Sequence, residues 1–121
     1  MSNSPASRRI RFAAPLRAMA VEWEAVSAGI AARAAGNPEE IGAASYDYLM
    51  YSGYVALAYW WARSVAAADA GRHPPGFAGA KRETARFYFA RLLPRASMHK
   101  AAIESGARPL MAMDAGDFGG V

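Results

Sequence analysis

The sequence has no cysteine, which removes disulfides, thiolate metal sites and a cysteine nucleophile at one stroke. Short secreted domains commonly rely on disulfide staples, so this usage suits a cytoplasmic protein. Histidine is nearly absent too: His73 sits in a proline loop and His99 in a helical stretch. No HxxxH or HExxH spacing joins them, and a zinc site wants about four ligands. No metal site is therefore expected. The chain also lacks GxSxG, GxGxxG and GxxxxGK[ST], the strand-to-helix turns that present a nucleophile or cradle a phosphate. Its close carboxylate pairs, Glu22 with Glu24 and Glu39 with Glu40, read as a solvated face and as helix-start electrostatics. No catalytic or cofactor-binding residue is assigned, and the chain in isolation is not expected to be an enzyme.

Long apolar runs are missing as well. Tyr54–Ala68 is almost uncharged, but it is short of the ~20 residues a span needs, carries Arg63, and is bracketed by Asp47 and Asp69. No membrane span is expected, and no secretory signal is present in the first 21 residues. Acidic residues are scarce at the start. Arg8, Arg9, Arg11 and Arg17 all precede Glu22, and they account for much of the net charge of +4. Such a cluster can face nucleic acid or an anionic surface, and its Ser- and Arg-rich composition resembles an organelle transit peptide. A solvated, frayed end is the simpler reading. Residues 1–12 are taken as a disordered basic tail, and 13–121 as one helical domain. The other basic residues form no stripe along one helix, so nucleic acid is not an expected partner.

What is present is alanine: 30 of the 121 residues, in a chain 54% hydrophobic and 12% aromatic. Alanine is the best helix former. A first helix is expected from Pro15 to Ala35, with Leu16, Met19, Trp23, Val26 and Ile30 as one apolar stripe. Asn37-Pro38-Glu39-Glu40 is a strong start signal for a second helix, which Gly71 ends. Tyr46, Met50, Gly53, Leu57, Trp60 and Ser64 mark one face of it, while Tyr48, Tyr51, Val55, Tyr59 and Ala62 mark another. A helix apolar on several sides is central, or it supplies an interface as well. GRHPPG cannot continue a helix. A third helix then starts near Phe77, is kinked near Leu92 by Pro94, and stops at Gly106. Its core stripe is Ala85, Phe89, Leu92 and Ala96. The tail is expected to dock through Met111, Met113 and Phe118.

The fold class is all-α: an antiparallel bundle of three to four helices. Folding the third helix back on the second brings Arg63 near Glu83 and Asp47 near Lys100, two expected ion pairs. Mid-helix Gly53, which costs about 1 kcal/mol against Ala, marks a close helix crossing. The aromatics of the second helix divide between core packing and an interface, with Tyr54, Trp61 and Phe87 as candidate interface residues. A pocket stacking on an adenine, a flavin or an unpaired base is the other use of such rings.

Two segments, DYLMYSGYVALAYWWARSVAAA and FAGAKRETARFYFARLLPRASMHKAAIESGARPLMAMDAGDF, resemble the C-terminal domain of the larger acyl-CoA dehydrogenases, the methylthiopropionyl-CoA dehydrogenase type among them. The likeness is carried by Gly53–Arg63, Thr84-Ala85-Arg86-Phe87-Tyr88 with Leu92-Leu93-Pro94, and Leu110-Met111-Ala112 ahead of Phe118. It implies a helical domain appended to an enzyme of fatty acid metabolism that uses FAD and a carboxylate base. The flavin and catalytic domains are not in this chain, no residue matches the base, and no cofactor is expected here. The implied role is packing and oligomerisation, with a flavoenzyme body or a partner subunit as the other surface. The alternative is an independent homodimeric binding protein with an aromatic-lined ligand pocket. Met1 and the polar start suit a free-standing protein as well as an excised domain.

Overall fold

A computed structural model describes residues 5–119, with side chains from Phe12 onward. Helix α1 spans Pro5–Gly36, α2 Glu39–Ala70, α3 Phe77–Phe87, α4 Ala96–Glu104 and α5 Arg108–Met111. Among the described residues there is no strand. The all-α bundle is organised around α2, which packs against α1 on one flank and α3 and α4 on the other. Cross-helix pairs run in opposite senses, Glu22–Tyr51 with Arg33–Glu40, and Asp47–His99 with Asp69–Arg82. Both neighbours of α2 are thus antiparallel to it.

The start of α2 follows its local chemistry. Asn37 Oδ1 accepts the Glu39 N–H at 3.1 Å, one of the donors a helix start leaves without a partner. Glu39 and Glu40 then meet the positive end of the helix dipole. At the other end, the chain leaves the helix at Gly71 in an extended conformation.

Helix α1 begins ten residues before the expected Pro15, which therefore lies inside it. Part of the stretch read as a frayed tail is helical, and Pro15 forgoes one backbone hydrogen bond. Tertiary burial supplies a reason: Phe12 is buried against Val65 and Ala85, its ring 4.9 Å from that of Phe89. The side chains of Arg8, Arg9 and Arg11 lie outside the described residues.

Between α3 and α4 the chain stays helical but changes pitch. Tyr88–Leu92 form a π-turn and Leu93–Arg95 a 3₁₀ turn holding Pro94. The extra residue of the π-turn moves the buried positions to Tyr88 and Leu93, leaving the expected Phe89 and Leu92 half-buried. Ala85, Ala96, His99 and Ile103 complete the line facing α2.

The tail forms α5 and a 3₁₀ turn at Ala115–Asp117, but Met111, Met113 and Phe118 stay more than half exposed and anchor nothing. Ala107 is the buried anchor. Gly106 turns there with φ +74°, and the Ala107 N–H donates to Glu40 Oε2 at 3.1 Å.

Candidate interaction surface

The inward flanks of α2 are fully engaged. Tyr51 is completely buried and donates its hydroxyl to Glu22 Oε1 at 2.7 Å, while Lys100 Nζ lies 3.6 Å from Glu22 Oε2. Burial, seconded by the Glu22 carboxylate, pushes the Tyr51 hydroxyl well above the ordinary tyrosine range. Tyr88, also buried, donates to the Tyr54 carbonyl, and its hydroxyl is raised to about 12, mainly by desolvation. His99 Nδ1 lies 2.8 Å from Asp47 Oδ1, and Tyr54 stacks on the imidazole at 5.9 Å. On the α1 side, Trp23 Nε1 donates to Ser52 Oγ at 3.0 Å, and Ser27 Oγ meets Tyr48 Oη at 2.6 Å. These bonds clip three helices in register.

The expected ion pairs came out differently, and the differences share one cause. Arg63 does not reach Glu83. It is exposed on the α1 flank of α2, where it donates to Tyr59 Oη at 2.9 Å, whereas Glu83 on α3 pairs with Arg86. Asp47 takes His99, the neighbour of the expected Lys100, and Lys100 turns to Glu22 and Glu104. The antiparallel pairing was right in outline. Position on the helix was not, because one residue turns a side chain by about 100°.

Of the three candidate interface residues, Tyr54 and Trp61 are half-buried and pack into the core clusters with Leu93, Tyr88 and Phe89. Phe87 alone points away, 57% exposed. Sequence reasoning missed His99, whose only signal was an acid one bundle layer away on another helix.

The outward face of α2 is apolar and uncovered. Tyr46, Leu49, Leu57 and Trp60 are 66, 70, 50 and 58% exposed. An open groove of about 690 Å³ runs beside it between α1 and α2, with Ile30, Ala31, Ala34, Ile41 and Leu49 among its walls. Gly53 has no heavy atom within 4 Å of where a Cβ would sit, so the close crossing expected there does not occur within the chain. Among the described residues no group of three His, Asp or Glu side chains could hold a metal. No helix is long and apolar enough to cross a membrane, again among the described residues.

A helical-bundle domain with a large uncovered apolar surface is the class that the fold defines. The chain belongs to the family described as acetyl-CoA dehydrogenase C-terminal like, whose family model matches residues 6–114. Comparison with curated proteins and with solved structures gave no match.

Proposed function

We propose that this chain is a non-catalytic packing module of an FAD-dependent acyl-CoA dehydrogenase, joining a flavoenzyme body or a partner subunit. The observation that carries the reading is the groove between α1 and α2, an almost charge-free hollow beside exposed Ile41 and Leu49. Contiguous apolar surface of this kind marks interaction sites in soluble proteins. Family membership supplies the direction, since the family takes its name from the C-terminal part of such an enzyme. FAD belongs to the enzyme body in this reading, and fatty acid metabolism and a cytoplasmic setting follow from that body.

The test is to recover the tagged chain from its native cells and record a visible spectrum. A flavin spectrum travelling stoichiometrically with a larger polypeptide, and lost with Ile41→Glu, supports the module. A colourless preparation of this chain alone overturns it.

One observation favours the second reading, an independent ligand-binding protein: the groove volume falls within the ~300–1,000 Å³ of small-molecule sites. Against it, the groove's Ser27, Tyr48 and Ser52 hydroxyls already bond across α1 and α2.

A further inference from the structure

We infer that the outward stripe of α2 pairs with the same stripe of a second copy, antiparallel, on a two-fold axis through Gly53. The stripe reads the same from either side of that glycine. Tyr46 and Trp60 stand seven residues away in each direction, Leu49 and Leu57 four, and the small Gly42 and Ser64 eleven. At 100° per residue all of them lie within about 40° of the Gly53 direction, and all are exposed. A two-fold contact between antiparallel helices places positions equally far from the axis at the same level, facing one another across the seam. Tyr46 then meets the partner's Trp60 and Leu49 the partner's Leu57. A stripe shaped for a foreign segment has no reason to be symmetric.

Two further observations point to the same occupant. Gly53 is exposed at mid-helix, with nothing of its own chain near it. A residue that costs a helix about 1 kcal/mol is explained by a backbone approaching from outside. As for area, the four large exposed side chains of both copies remove on the order of 1,000 Å² from water, the lower end of specific interfaces.

This pairing does not rest on the docking role proposed above: Leu49 borders both surfaces, but the groove is tested at Ile41 and the stripe at Gly53. Ile41, which lines the groove, points about 120° away from Gly53.

The absence of cysteine makes the test clean. In the full 121-residue chain, Gly53→Cys is expected to form a disulfide dimer under mild oxidation. Leu49→Cys and Leu57→Cys chains are expected to cross-link when mixed and not alone, since each position sits about 12 Å along the helix from its own mate. Gly53→Glu sets two carboxylates face to face on the axis, and should weaken self-association at least about tenfold with the circular dichroism unchanged. A wild-type chain that sediments as a monomer at ~100 μM, well above the Kd of specific complexes, overturns the proposal. So does self-cross-linking of Leu49→Cys that matches the mixture.

Discussion

The two sides of α2 are built from the same residue types and do opposite things. Inward, Tyr51, Val55, Ala58 and Val65 are buried. The tyrosine hydroxyl there finds a carboxylate, and the neighbouring Asp47 finds an imidazole. Outward, Tyr46, Leu49, Leu57 and Trp60 stand in solvent around a glycine. Apolar character therefore does not identify the core of this helix; satisfied polar atoms do. On the buried face Tyr51 and Asp47 each find a partner on another helix, because an unpaired polar group there costs about 1–3 kcal/mol. The outward face carries almost none, which is the composition of a contact yet to be made.

The contrast gives a graded set of expectations. The largest effect is on the inward side: Tyr51→Ala empties the centre of the bundle and should cost about 3–5 kcal/mol, as other large aromatic truncations do. Chemical denaturation of the variant measures it, and a loss under about 1 kcal/mol would mean the centre repacks. Next, Asp47→Ala strands the buried His99 and should cost about 1–3 kcal/mol. Removing the imidazole as well, in Asp47→Ala with His99→Leu, should recover part of that loss.

A third expectation concerns alkali. Tyr88 ionises near 12 when folded and near 10 when unfolded, and Tyr51 shifts the same way. Between these values the unfolded chain releases protons that the folded chain keeps. Stability is thus unaffected below about pH 10 and falls as pH rises toward 12. Denaturation midpoints across that window should fall less steeply in Tyr88→Phe; an identical slope would remove Tyr88 from the account. The smallest effect is outward. Leu57→Gln should change the stability of the monomer by no more than about 0.5 kcal/mol, measured at dilution where self-association is lost. A larger drop would show that the stripe is covered within one chain after all.

Much of this fold was legible in the residues. Asn37 to Glu40 and Gly71 mark the ends of α2 because capping is local chemistry, written in adjacent residues. The start of α1 was not legible, since the burial of Phe12 depends on Val65 and Ala85, more than fifty residues away. The register of α2 against α3 and α4 followed from the GRHPPG loop. Which acid meets which base did not, because neighbouring residues such as His99 and Lys100 point about 100° apart. For the surface, both apolar faces of α2 were visible as patterns. The pattern alone could not divide them: Tyr54 and Trp61 went to the core and Phe87 stayed out. Only the placement of α1, α3 and α4 decides that.

The π-turn at Tyr88–Leu92 carries one more lesson, about chain length. Adding or removing a residue in a helix swings everything beyond it by about 100°, which in most places would carry Ala96, His99 and Ile103 off α2. Here the helix already stores one surplus residue in a wide turn. A one-residue deletion at exposed Arg91 can be absorbed by tightening that turn, whereas the same deletion in mid-α2 has no such slack. This segment is where the bundle tolerates a change in how long it is, as distinct from what it is made of.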